Sequence, residues 1–536
     1  MHSYLYFKQL LSILINEANI MNKLVATLCS LLLSTTIACA SDDQEQRPTH
    51  LKIIAGKKNN DKLSEMPEGI EYLSQFTTLT AVDVDTEDLE DLEKIQSLFS
   101  MLSKHTNLHD LKIEFNIPLL NPKSSDVDEI LLEKLEQLAL ALPNFSSLLA
   151  LDMNLNMINR LNTTINTVSE SVRFGKMAKV LASNLPPKLE KLSLGWNLSF
   201  PTKHLQSMIS DLPFTLRKLN LRHHCVDNSM LEILSQFTNL EALELRYFEQ
   251  RKILNPEPTK PNYTMLGSTI FSLPNLQELS LHLDPNRESP FPYPLYSNFK
   301  ELTEKLPRDL KRLKIYYHAV LNECLTPDGS AFLALPGKLE VLSLNSILPK
   351  HNINNSEPLE SPFDALTQVL SPNLRELAIK NPLSHICLQG ERSNLNDYLI
   401  SKFPTSLQKL TLHACWITKS RASAVGKALN NYLPNLETLL LSDSLLMDSA
   451  QILIKEMRSN TTLTKLDIKF PTREDITPLI DEVKNCLEEN LTLQMVTFSL
   501  LGEQIPVSLV QLERNRKRNQ TLTRLADHQV YPTVFL

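Results

Sequence analysis

The stretch LPNLQELSLHLD, Leu273 to Asp284, carries leucines at a spacing that suits neither regular element. An amphipathic helix places apolar residues at i, i+3, i+4 and i+7, and a half-buried strand alternates them strictly. Here Leu276, Leu279 and Leu281 are three and then two apart. The last two alternate across a short strand and point to one face. The first lies where the chain bends into that strand, and drops into the same interior.

The same L-x-x-L-x-L frame recurs along the chain. It stands at Leu189-Leu192-Leu194, Leu216-Leu219-Leu221, Leu240-Leu243-Leu245, Leu310-Leu313-Ile315, Leu339-Leu342-Leu344 and Leu374-Leu377-Ile379. It continues at Leu407-Leu410-Leu412, Leu436-Leu439-Leu441 and Leu463-Leu466-Ile468. Weaker copies begin at Leu79, Leu108, Leu148 and Leu493, which makes fourteen in all at a mean spacing of about 32 residues. Self-similarity at such a period marks a solenoid. Three buried plugs stabilise a coil by roughly 1.5–3 kcal/mol each. Ordering some thirty residues costs more, at about 1–2 kcal/mol of backbone entropy per residue. Each coil therefore depends on stacking against its neighbours.

Between frames the period turns helical. Ser420–Tyr432 places Ala424, Val425, Ala428 and Leu429 on one stripe, and Ser449–Asn460 does so with Ile452, Leu453, Met457 and one polar member, Glu456. Prolines such as Pro186, Pro213, Pro307, Pro404 and Pro434 stand just before the next frame, where they stop the helix. The unit reads strand, loop, helix, proline, strand.

These residues resemble the leucine-rich-repeat proteins, in their ribonuclease-inhibitor-like subclass with a helix on the convex side. The resemblance spans Leu79 to Phe498. It implies an α/β fold: a right-handed solenoid or horseshoe, with a parallel concave sheet, convex helices and about fourteen irregular repeats. The family's next position, N or C, is matched by Asn116, Asn156, Asn197 and Cys415, but held by His224, Phe248, Asp284, Ile347 and Pro382 elsewhere. The polar ladder expected there is thus broken through the middle. The segment Leu512–Leu525 resembles a polar closing helix.

The N-terminal region has a different character. MNKLVATLCSLLLSTTIACAS, from Met21, has one Lys, an apolar run and A-C-A before Ser41, the layout of a secretory signal. The run is short for a membrane span. Residues 1–20 fit no signal n-region and read as an over-called start. Simple cleavage near Ala40 is preferred to a lipid anchor at Cys39, because Thr36 and Ile37 match the lipoprotein pattern poorly. The expected organisation is signal 21–40, N-terminal cap 41–75, solenoid 76–500, and C-terminal cap and tail 501–536. The expected location is secreted or periplasmic.

Five cysteines remain beyond the signal, odd in number and far apart, so they read as buried residues and not as a disulfide framework. A net charge of −7 and a pI near 6.1 argue against a bulk nucleic-acid binder. No phosphate-binding glycine loop, G-x-S-x-G, H-E-x-x-H or paired C-x-x-C is present. The adjacent His223, His224 and Cys225 cannot all face one ion from a strand. No enzyme activity, cofactor or metal is expected.

That leaves the concave surface, which takes frame positions three, five and seven. Ala81, Asp83 and Asp85 open the first coil, Asp110, Lys112 and Glu114 the second, and the middle coils read as net basic. The residues expected to bind a partner are Lys218, Arg222, Arg246, Arg312, Lys314, Tyr316, Lys380 and Lys409. Curved faces with separated charge suit a protein of complementary charge. The expected role is a non-catalytic, exported, monomeric interaction scaffold of bacterial origin, with a host protein among the candidate partners. The alternative is a regulator of an enzyme, of the small-GTPase-activating leucine-rich-repeat type.

Overall fold

The computed structural model of the protein describes residues 50–54, 78–85, 108–118, 142–158, 168–196, 202–226, 228–248, 263–284, 302–317, 335–346, 370–380, 397–413, 417–470, 477–500 and 503–508, with a few isolated positions between them. The expected signal, the Leu512–Leu525 helix, and Cys324 and Cys387 lie outside the described residues, as does most of the insert at Asn255–Tyr263.

One sheet runs through the molecule in strict sequence order. Its strands are β1 His50–Ile54, β2 Thr78–Asp85, β3 Asp110–Pro118, β4 Ala150–Ile158, β5 Lys191–Trp196, β6 Lys218–Val226, β7 Ala242–Phe248 and β8 Glu278–Asp284. Then follow β9 Arg312–Tyr317, β10 Val341–Ser346, β11 Glu376–Lys380, β12 Lys409–His413, β13 Thr438–Ser442, β14 Lys465–Phe470, β15 Met495–Leu500 and β16 Glu503–Ser508. All successive pairs are parallel except the last, in which β16 returns antiparallel with Leu500 opposite Glu503. Pro506 lies on this edge strand. It has no N–H to offer a further strand and so blunts the edge.

Register follows the frame. Leu279 lies opposite Leu243 and Leu313, and Leu281 opposite Leu245 and Ile315. All six are at most 4% exposed. The first residue of each frame arrives by a tight turn. The N–H of Leu189, Leu216, Leu310 and Leu407 donates to the carbonyl of Pro186, Pro213, Pro307 and Pro404 respectively. Proline thus both stops the preceding segment and opens the turn that places the plug.

Helices cover the other side of this core: α1 Val168–Ser183, α2 Thr202–Ser210, α3 Asn228–Leu234, α4 Tyr263–Phe271, α5 Asp397–Ile400, α6 Lys419–Tyr432, α7 Met447–Glu456 and α8 Thr477–Glu489. In α6 the buried stripe is Ala422, Val425, Gly426, Ala428 and Leu429, while the expected Ala424 is only partly buried. Glu456, the polar interruption of α7, accepts a hydrogen bond from Ser423 Oγ at 2.7 Å. It crosses Gly426 so closely that a Cβ there would lie 2.6 Å from Glu456 Cβ. The carboxylate is thus part of a helix-to-helix contact.

Two expectations need correction. In β2, Leu79 pairs with Leu111 and Ala81 with Ile113, so the frame's second and third positions fall on Leu79 and Ala81, three residues earlier than expected. Thr78 and Thr80 stand opposite Asp110 and Lys112, and Asp83 falls in the irregular stretch between Ala81 and Val84. In β6, Arg222, His223 and His224 fall in a second irregularity, and Cys225 takes the place opposite Arg246. The sheet also extends one strand before the first frame, with β1 beside β2.

The inter-coil polar ladder also has a second site. Asn239, Asn275, Asn373 and Asn435, each just before a frame, donate through Nδ2 to the carbonyls of Phe214, Thr238, Gly337 and Thr405 in the preceding coil. Thr215 and Ser406 do the same by hydroxyl. At the family's N/C position, buried Cys415 donates its N–H to Ser444 Oγ at 3.1 Å, and Ser444 Oγ donates to the Leu412 carbonyl. The side chains of Asn116, Asn156 and Asn197 lie outside the described residues.

Candidate functional site

The plugs point inward and the helices cover the core, so the residues between plugs form an open sheet face. Across β3 to β9 this face hollows into a groove of about 540 Å³. Two registered rows build it. Position three runs Asp110, Ala150, Lys191, Lys218, Ala242, Glu278, Arg312, and position five runs Lys112, Asp152, Ser193, Asn220, Glu244, Ser280, Lys314. Tyr316 completes the lining from position seven of β9.

Acids and bases are interspersed along both rows, while Lys191 and Lys218 stand as like-charged neighbours. Lys112 Nζ lies 3.8 Å from Asp152, and Arg312 Nε lies 3.9 Å from Glu278. Beyond the groove Lys409 Nζ lies 3.4 Å from Glu376. Exposed pairs of this kind contribute about 0–1 kcal/mol each, so they shape the local field more than the stability.

One wall is fixed by a relay across three strands. Glu244 Oε1 lies 3.2 Å from His282 Nε2, and the His282 ring stacks on Tyr316 with centroids 4.2 Å apart and planes 5° apart. The phenol ring is therefore held in place before any partner arrives.

Of the eight expected residues, Lys218, Arg312, Lys314 and Tyr316 line the groove together. Arg246 is half-buried at position seven of β7, in the row with His282 and Tyr316 but outside the lining. Arg222 belongs to the irregular stretch of β6. Lys380 and Lys409 lie on β11 and β12, beyond the groove. The residues not singled out were Lys191, Ser193, Asn220, Glu244 and His282. Their frame position was readable; Ser193, Asn220 and Glu244 are neutral or acidic, while the part played by Lys191 and His282 arises only from the strands beside them.

A second polar cluster occupies β11 to β14. His413 Nε2 lies 3.1 Å from Asp443, a non-glycine residue at φ 51° that also accepts from Ser442 Oγ. Residues other than glycine enter that left-handed region at a cost. Burial holds His413 below the ordinary imidazole value; Asp443 opposes this, and the Lys380 and Lys469 ammoniums add to it. The unfolded chain thus takes up the proton first. The stability given by a neutral His413 is present above about pH 6.5 and is lost as pH falls through the lower folded value. His413→Gln is expected to give a flatter stability profile than wild type between about pH 6.5 and 5 in urea titrations. Identical slopes would remove His413 as the source.

The Cys415 and Cys486 thiols are buried, and burial pushes each up to about 12. Neither is a thiolate at neutral pH, so neither is a ready nucleophile. Among the described residues no group of three metal-ligating side chains converges, and no helix is long and apolar enough to cross a membrane.

Sixteen strands in order, parallel to β15, with two buried plugs per strand from β3 to β15 and a third in the turn before each of these, define the repeat. The fold is of the leucine-rich-repeat type. No family model matches the chain, and no curated protein matches it. Among solved structures it is similar to the leucine-rich repeat-containing protein LegL7 from Legionella pneumophila, at 16% identity and TM-score 0.35, over 70% of this chain and 97% of that one. It is also similar to a chain of the Rad7 and Elc1 complex in yeast, at 15% identity and TM-score 0.37, over 88% of this chain and 92% of that one. Likeness at this level carries no function from one chain to the other.

Proposed function

We propose that the protein is a non-catalytic scaffold that holds a partner protein in the groove of its open sheet face. The observation that supports this is the groove itself, drawn from seven successive strands, with Tyr316 fixed against His282 at one wall. A side chain already held in place loses little entropy on binding. Tyr and Arg are the types that most often dominate interface energetics. The partner, captured from host extracts, is expected to lose at least about 2 kcal/mol of affinity with Arg312→Ala, Tyr316→Ala. The exposed Lys427→Glu on α6, on the helical side, is expected to bind as wild type does. The reverse pattern would move the working surface to the helices.

The chain is further proposed to act as an exported monomer without a nucleic-acid partner. The export reading is supported by the Met21–Ala40 stretch alone. N-terminal sequencing of exported protein is expected to begin at Ser41, and a cytoplasmic chain retaining His2 would end it.

A further inference from the structure

Within the groove, β5 and β6 pair at three positions only: Lys191 with Lys218, Leu192 with Leu219, and Ser193 with Asn220. The two lysines thus stand side by side at the spacing of adjacent strands, about 4.8 Å. Both are exposed and both line the groove. Like charges directly opposite one another in a sheet are destabilising. The other position-three cation of the groove, Arg312, has Glu278 at 3.9 Å, and Lys112 has Asp152 at 3.8 Å. Among the described residues no carboxylate comes within salt-bridge distance of Lys191 or Lys218.

The neighbourhood keeps them open. Ala150 stands opposite Lys191 on one side, and Ala242 opposite Lys218 on the other, so no long side chain covers either ammonium in this row. The next charges in the row, Asp110 and Glu278, are two strands away, about 10 Å, near the screening length at physiological salt. Ser193 adds a hydroxyl beside the pair. A repulsive pair with its flanks cleared and a hydroxyl beside it suits an anion brought from outside.

We infer that Lys191 and Lys218 seat an acidic segment of the partner protein, with a carboxylate reaching both ammonium groups. A singly charged carboxylate fits better than a phosphate dianion. Asp152 and Glu244 stand one strand beyond on either side in the Ser193–Asn220 row, and the seat lacks the arginine fork that suits phosphate. This inference rests on the groove reading proposed above.

The test uses the full chain and a fluorescein-labelled peptide rich in Asp and Glu, read by anisotropy at low and physiological salt. Lys218→Glu is the main variant. It sets a carboxylate against Lys191, replaces repulsion with attraction, and so empties the seat without endangering the fold. The wild type is expected to bind the peptide, more weakly as salt rises, and Lys218→Glu to weaken binding at least tenfold. Lys191→Met, Lys218→Met is expected to do the same without introducing a charge. Unchanged binding by both variants, beside weaker binding by Arg312→Ala, Tyr316→Ala, would overturn the seat and leave the groove standing. Binding lost only with Lys427→Glu would overturn both. Absence of binding by the wild type, or tighter binding of a serine-phosphorylated peptide of equal length, would overturn the acidic-segment assignment.

Discussion

Leu279→Ala is expected to destabilise the protein by about 2–5 kcal/mol in a denaturant titration. The side chain is 2% exposed and stands in register between Leu243 and Leu313, so its removal opens a void bounded by two neighbouring coils. The surrounding plugs belong to different coils and are fixed by their own strands, so they close the void only in part. Glu278→Ala, one residue earlier, is expected to cost under about half a kcal/mol, since surface changes away from special features stay near that size. Its side chain is 45% exposed and faces Arg312 at 3.9 Å. Similar losses in the two variants would put the frame one residue off. That would move every plug to the open face, because side chains alternate along a strand.

The fold was legible because this frame has a spacing that no other element asks for. Its plugs are buried from Leu108 to Phe498, and the helices on α6 and α7 begin within two residues of the expected starts. The frame failed at β2, where Leu79, Val82 and Val84 have the right spacing at the wrong offset. The alternation of TLTAVDVD satisfies two frames equally, and only pairing with β3 chooses between them. Nor does spacing foretell the irregular stretch at Arg222–His224, since Leu216-Leu219-Leu221 before it is a faultless copy. The second polar ladder, by contrast, stood in plain view as N-L, T-L and S-L before the frames. It was missed because the family pattern directs attention to the other end of the strand.

The candidate site was legible by position and less so by residue type. Choosing Arg, Lys and Tyr found Lys218, Arg312, Lys314 and Tyr316. It passed over the features that arise only between strands. These are the Lys191–Lys218 pair, the alanines that clear it, and the relay from Glu244 through His282 to Tyr316. Each joins residues 24 to 41 positions apart in sequence. Such distances are crossed only by the stacking of coils, and one coil read alone cannot show them. Cross-strand pairing in the groove was hidden for the same reason, as in Asp152 with Lys112, Glu244 with His282 and Glu278 with Arg312.

Asn490→Ala is expected to cost about 2–5 kcal/mol, as much as the loss of a core leucine, though it removes no apolar packing. Asn490 is 2% exposed. Its Oδ1 accepts the backbone N–H of Thr492 at 2.8 Å and of Leu493 at 2.7 Å, while Nδ2 donates to the carbonyls of Met457 and Asn460. The two carbonyls keep other donors, the Asn460 N–H and Thr492 Oγ1 respectively. The two N–H groups are the real loss, and an orphaned buried donor costs about 1–3 kcal/mol. Asn460 repeats the arrangement one coil earlier, capping Thr462 and Leu463 and donating to Asn430 Oδ1 at 2.8 Å. Asn430, Asn460 and Asn490 thus join three coils, and the effect is expected to reach beyond one repeat because solenoid stability couples neighbours. In native-state hydrogen exchange, Asn490→Ala should speed the amides of Thr492 and Leu493 most and those of Thr462 and Leu463 next. Asn435→Ala, which gives up one exposed bond to the Thr405 carbonyl, is expected to cost no more than about 1 kcal/mol. Equal effects at Asn435 and Asn490 would mean that the buried donors find water or another acceptor, and that the asparagine row is decoration on a fold held by its leucines alone.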